Sequence, residues 1–66
     1  MIWLFGRRGE KLKYEIRRDA NDKGYLLVVT SSDGQEHIEH VDEPTALIER
    51  TMRQMRQLQD DGWKVG

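Results

Sequence analysis

Seven residues, Lys11-Leu12-Lys13-Tyr14-Glu15-Ile16-Arg17, alternate strictly between charged and apolar side chains. Only an extended chain places every second residue on one side, so this stretch predicts a strand with one buried face. Slipping it by one residue would bury Lys13, Glu15 and Arg17 in place of Leu12, Tyr14 and Ile16. The pattern therefore fixes a secondary structure and an inside together. The rest of the chain has to supply neighbouring strands and a cover for that inside.

The flanking segments read as those neighbours. Met1-Ile2-Trp3-Leu4-Phe5 is wholly apolar and predicts a strand that something covers. Gly6-Arg7-Arg8-Gly9 separates it from the alternating run. Asp19-Ala20-Asn21-Asp22-Lys23-Gly24 is a cluster of turn formers. Tyr25-Leu26-Leu27-Val28-Val29-Thr30 is apolar on both faces and rich in β-branched residues, as suits a central strand. Asp33-Gly34 predicts a two-residue hairpin turn, because both central positions of a type I′ turn need positive φ. Gln35 to Val41 returns as a more polar strand, suited to an edge.

The remainder predicts a helix. Asp42 or Glu43 can cap it and Pro44 fits its first turn. Leu47, Ile48, Thr51, Met52, Met55 and Leu58 form one stripe at helical spacing. Glu49, Arg50, Arg53, Gln54, Arg56 and Gln57 form the wet side. Gly62 suits the left-handed residue that ends a helix in a Schellman motif, which packs Trp63 back against Leu58.

These elements predict one α+β domain over residues 1–66: a four-stranded antiparallel meander with one C-terminal helix packed on one face. A two-residue Asp33-Gly34 turn pairs Val29 with Ile38 and Leu27 with His40. A four-residue turn over 20–23 pairs Ile16 with Leu27 and Tyr14 with Val29. A two-residue Arg7-Arg8 turn sets Trp3 opposite Leu12. The helix face then collects Trp3, Leu12, Tyr14, Ile16, Tyr25, Leu27, Val29 and Ile38. The other face carries Ile2, Leu4, Leu26, Val28 and Val41 among Lys11, Lys13, Glu15, Arg17, His37 and Glu39. One helix cannot cover both faces of a sheet.

Composition narrows the function classes. A chain of 66 residues buries only about 60% of its unfolded surface and usually needs a staple. The chain has no cysteine, which excludes disulfides and thiolate zinc sites and leaves oligomerisation. The absence of cysteine also suits a reducing compartment. Eleven basic and twelve acidic residues nearly cancel to a net charge of −1, so no long-range field draws in nucleic acid or membrane. No apolar run approaches a membrane span, and five apolar residues are too few for a secretory signal. These features predict a cytoplasmic protein.

Site signals are sparse. His37 and His40 lie three apart on a strand and so point to opposite faces, which argues against a shared metal. No phosphate loop, Gly-x-Ser-x-Gly or dinucleotide fingerprint occurs. No cofactor, metal or catalytic residue is expected. Met52 and Met55 read as core. Arg7, Arg8, Lys11, Lys13 and Arg17 form the one basic constellation that could grip single-stranded nucleic acid. The element order, an antiparallel sheet followed by one helix, is similar to that of certain single-strand DNA-binding dimers. The first expectation, however, is a small non-catalytic interaction or assembly protein. It would homodimerise through its N-terminal edge strand or through the sheet face opposite the helix, using Ile2, Leu4, Leu26, Val28 and Val41. The nucleic-acid module is the alternative.

Overall fold

The computed structural model describes residues 1–65. Strands β1 (Ile2–Arg7), β2 (Glu10–Arg18), β3 (Tyr25–Thr30) and β4 (Glu36–Val41) precede helix α1 (Pro44–Asp60) and a short strand β5 (Lys64–Val65). They form one antiparallel sheet in the order β4-β3-β2-β1-β5, with the helix on one face. The four-stranded meander and the helix are as the sequence predicts. The fifth strand is an addition. Only two residues long, it pairs Val65 with Phe5 and Lys64 with Gly6.

The β2–β3 register is the expected one, with Ile16 opposite Leu27 and Tyr14 opposite Val29. The β1–β2 register differs by two residues. Its turn is Arg8-Gly9, so Arg7 faces Glu10 and Trp3 faces Tyr14. Both turn residues have positive φ, 51° at Arg8 and 80° at Gly9, as a type I′ turn demands. Gly9 takes one of the two positive-φ positions without strain, and Arg8 takes the other. A shift of two leaves every side chain on its predicted face.

The β3–β4 register is off by one, and here the faces change. The loop is a turn from Ser31 to Gly34, closed by Gly34 N–H donating to the Ser31 carbonyl. Gly34 takes the left-handed position after the turn, and Ser31 N–H reaches the Gln35 carbonyl. Such a three-residue loop with a bulge is the next commonest hairpin connection. Asp33 holds it through its carboxylate, which accepts from the Ser31 hydroxyl and the Gln35 N–H. The odd loop length turns β4 over. Ile38 faces Val28 instead of Val29, and Leu27 faces Glu39 instead of His40. Ile38 therefore leaves the helix face, while Val41 joins it and packs against the core.

The core comprises Phe5, Tyr14, Leu27 and Trp63, surrounded by Trp3, Leu12, Ile16, Val29, Val41, Leu47, Met55 and Leu58. Trp3 meets the Tyr14 ring edge-on at a centroid distance of 5.9 Å. The helix lies rolled relative to the predicted stripe, for Ile48 and Met52 are exposed. Their places toward the sheet are taken by two polar residues with specific partners. Gln54 Oε1 accepts a hydrogen bond from the Tyr14 hydroxyl, and Arg50 Nε donates to Glu39 at 2.8 Å. Glu39, placed on the helix face by the β4 turn-over, meets this cation there while staying partly exposed.

The helix ends as predicted. Gly62, at φ 92°, donates to the Gln59 carbonyl, and Trp63 N–H donates to the Leu58 carbonyl at 2.9 Å. This Schellman pair sends the chain back under the helix, burying Trp63 and delivering Lys64–Val65 to the edge of β1. The helix start is less complete. Glu43 occupies the N-cap position in an extended conformation, with Pro44 next, and makes no side-chain capping bond. Its carboxylate is replaceable by a hydroxyl that bonds the first free N–H groups. Glu43→Ser should raise stability by about 1 kcal/mol, seen as a melting shift of about 4–8 °C.

Candidate interaction surface

Opposite the helix the sheet is bare, and its composition follows from the registers. One row across the sheet runs Ile2, Glu15, Val28, Ile38; the next runs Leu4, Lys13, Thr30, Glu36. A third holds Arg17, Leu26 and His40. Four of the five expected interface residues, Ile2, Leu4, Leu26 and Val28, lie on this face. Val41 does not: the turned-over β4 puts it in the core, and Ile38 stands on the open face instead. Likewise His37 and Glu39 belong to the helix face, while Glu36 and His40 replace them.

The face is not uniformly open. Val28 is 0% exposed, flanked in its row by Glu15 and Ile38. Along β2 beside it runs a charged ridge in which Glu15 accepts from Arg17 Nε at 3.0 Å and meets Lys13 Nζ at 3.7 Å. The apolar residues left in water stand at the margins: Ile2 at 58%, Leu4 at 56% and Ile38 at 57%. Two of these three sit on β1.

The β1 edge is half covered. Met1 and Ile16 exchange backbone hydrogen bonds at 2.9 and 3.1 Å, which sets the phase of the β1–β2 ladder. Hydrogen-bonded pairs alternate along antiparallel strands. The odd-numbered residues of β1 therefore bond to β2, and Ile2, Leu4 and Gly6 turn their N–H and C=O groups outward. Among the described residues β5 lies against Phe5 and Gly6. Among the described residues no strand lies against Ile2 on this edge, and the Ile2 and Leu4 side chains are exposed. The β4 edge carries charged and polar residues at Glu36, His37, Glu39 and His40, a common guard against unwanted pairing. The first half of β1 has no such charged guard of its own.

The five basic residues expected at a nucleic-acid surface divide into two groups. Lys13 and Arg17 are engaged by Glu15 on the open face. Arg7, Arg8 and Lys11 lie at the far end, around an open hollow of about 530 Å³ that Glu10, Asp61, Gly62 and Lys64 also line. Arg7 is committed within it, stacked 4.5 Å over the Trp63 ring and donating to the Asp61 carbonyl at 2.9 Å. All five aromatic residues lie on the helix side, so among the described residues the open face offers no ring on which a base could stack.

Sequence reasoning missed the Arg50–Glu39 pair and the Arg7–Trp63 stack. It also missed the fixing of His40, whose Nε2 lies 2.8 Å from the Lys23 carbonyl and whose Nδ1 lies 3.1 Å from Asp42. These contacts depend on the β4 register and the helix ending, and only the latter carries a local signal. Among the described residues no helix is long and apolar enough to cross a membrane.

Glu15 gives the open face a pH dependence. The hydrogen bond and charge of Arg17, with Lys13 alongside, hold its carboxyl below the usual carboxylate range. Its favourable contribution is present above the ordinary glutamate range and is lost as pH falls through the lowered value. Glu15→Gln should therefore flatten that part of the acid limb in a plot of unfolding midpoint against pH. An unchanged limb would mean that Glu15 does not couple to folding.

No model of a known protein family matches the chain, and no characterised protein or solved structure matches it either.

Proposed function

We propose that this protein is a non-catalytic assembly module that forms a homodimer through the uncovered part of β1 and the adjoining sheet face. One observation carries the reading. Among the described residues β5 meets β1 at Phe5 and Gly6, and the start of β1 carries the exposed, uncharged Ile2 and Leu4 side chains. A bare edge of this kind templates pairing with another strand. The small core gives a second reason, since a domain of this size is marginal alone and association stabilises it by mass action. Edge pairing and face stacking are both routes to such a dimer, the second drawing on Leu26, Val28 and Ile38. Sedimentation equilibrium from micromolar to millimolar concentration is the test. The expected result is a mass rising from one chain toward two, and a single-chain mass throughout would overturn the reading.

The single-strand nucleic-acid reading has less support. Its cations are divided between two places, two of them share the single carboxylate of Glu15, and the open face has no aromatic platform among the described residues. Binding by anisotropy that falls steeply with salt would restore it.

A further inference from the structure

The open hollow beside the β1–β2 turn has no part in the homodimer reading and stands independently of it. We infer that it binds a small phosphate monoester, with Arg8 as the residue that grips the phosphoryl group.

The backbone singles Arg8 out. Five of the described residues have positive φ, and four of them are glycines: Gly9, Gly24, Gly34 and Gly62. Arg8, at φ 51°, is the exception. The left-handed region brings Cβ against the neighbouring carbonyl oxygen, so a side chain other than Asn or Asp is unfavourable there. The first central position of a type I′ turn ordinarily takes Asn, Asp or Gly. Arginine makes this hairpin less stable than it need be. Among the described residues its side chain makes no hydrogen bond, ion pair or ring contact that would offset the strain. Residues held against a local preference in this way cluster at ligand sites, where the use of the side chain outweighs the strain.

The surroundings fit a ligand of negative charge. The hollow, about 530 Å³, is lined by Arg7, Arg8, Lys11 and Lys64 against Glu10 and Asp61. Cations thus outnumber carboxylates here, in a chain whose net charge is −1. Glu10 is turned toward Arg7, at 4.0 Å. Among the described residues, Arg8 and Lys11 pair with no carboxylate. The end of α1 works against an anion, because its last carbonyl groups carry partial negative charge. Arg7 answers it: Nη1 donates to the Asp61 carbonyl while the guanidinium lies over the Trp63 ring. Arg7 is therefore a fixed wall, and Arg8 and Lys11 are the cations left for a ligand.

Two cations match a dianion. A guanidinium offers a planar fork that suits phosphate oxygens, and an ammonium adds a point charge beside it. A phosphoryl group presents three oxygens and two charges to such a pair, where a carboxylate presents two oxygens and one charge. Small-ligand sites span about 300–1,000 Å³, so the hollow has room beyond the phosphoryl group for the rest of a small ester. Water enters freely and salt screens the charges. Binding is accordingly weak, with a Kd on the order of 1 mM.

The test is a nitrogen–proton correlation NMR titration of the native chain, with inorganic phosphate and with glycerol phosphate. It is run near neutral pH, where phosphate esters are mostly dianionic, against sodium chloride at matched ionic strength. The expected result is saturable shifts centred on Arg8, Gly9 and Lys11 with both phosphates and not with chloride. Arg8→Asn should weaken binding about tenfold, through loss of a charge-assisted contact. Asparagine tolerates positive φ, so the same change should raise the melting midpoint by about 4–8 °C. Arg18→Gln, which removes one positive charge at the other end of β2, should leave the affinity nearly unchanged. Shifts no larger than those with chloride, or native affinity in Arg8→Asn, would overturn the site. A lower midpoint in Arg8→Asn would overturn it too, by showing that the arginine serves the turn. Binding of inorganic phosphate with the ester excluded would overturn the ester in favour of the free ion. Far tighter binding of a single-stranded oligonucleotide would overturn it in favour of nucleic acid. None of these outcomes bears on sedimentation, so the homodimer reading stands or falls separately.

Discussion

Trp63→Ala is expected to remove much or all of the stability of the fold at 25 °C. Truncating a buried tryptophan costs about 3–5 kcal/mol, and a chain of this length has a total stability of only about 3–10 kcal/mol. Trp63 is one of the four core residues, and its ring also carries the Arg7 guanidinium. It anchors the segment that delivers β5 as well, so its loss should release Lys64–Val65 from β1. Urea unfolding followed by circular dichroism will show the effect as a missing or strongly shifted transition. Trp63→Phe, which keeps a ring in place, should keep a transition at a lower midpoint. A Trp63→Ala protein with the native midpoint would mean that the helix and sheet hold together without this residue.

Gly24→Ala should produce the second large loss. Gly24 lies at φ 101°, and a Cβ there would fall 2.5 Å from the Val41 carbonyl oxygen and 2.9 Å from the Asp42 Cα. Both obstacles are backbone and cannot rotate away. Positive φ costs a side chain roughly 1–2 kcal/mol, and overpacking adds about 1–3 kcal/mol, so about 3 kcal/mol is expected together. Gly34 is the control. Its φ is 86° but a Cβ there meets nothing within 4 Å, so Gly34→Ala should show only the strain, about 1–2 kcal/mol. Comparable losses at the two positions would show that the approach of the β2–β3 loop to Val41 and Asp42 is unimportant.

Trp63 was legible in the sequence because its signal is local: Gly62 ends the helix, and the next residue must fold back. The strict alternation of β2 likewise fixed the inside of the sheet, and the β2–β3 register followed from it. The position of β4 was not legible in the same way. Ser31 to Gln35 can close as a two-residue or a three-residue loop, and Asp33-Gly34 is compatible with either. The choice depends on the Ser31 hydroxyl bonding Asp33 and on Arg50 being available for Glu39. The second contact spans strand and helix, and no local pattern announces it. The error then propagated to the surface, exchanging Val41 for Ile38. On β1 the same uncertainty did no harm, because the turn moved the register by two residues and the parity of Ile2 and Leu4 was preserved. The covering of β1 by β5 was invisible, since two residues carry no periodicity.

The brevity of β5 has a kinetic consequence. The three hairpins β1–β2, β2–β3 and β3–β4 each join neighbours along the chain, and α1 is local by nature. The meeting of Phe5 with Val65, by contrast, spans almost the whole sequence. Closing a loop that long is the entropically slowest contact and returns two residue pairs among the described residues, so it should form after the main folding barrier. In a chevron experiment, Trp63→Phe should then move the unfolding limb and leave the folding limb nearly in place. During refolding the whole of β1 would be briefly unguarded, so intermolecular capture would compete with closure, and aggregation should scale with protein concentration in that interval.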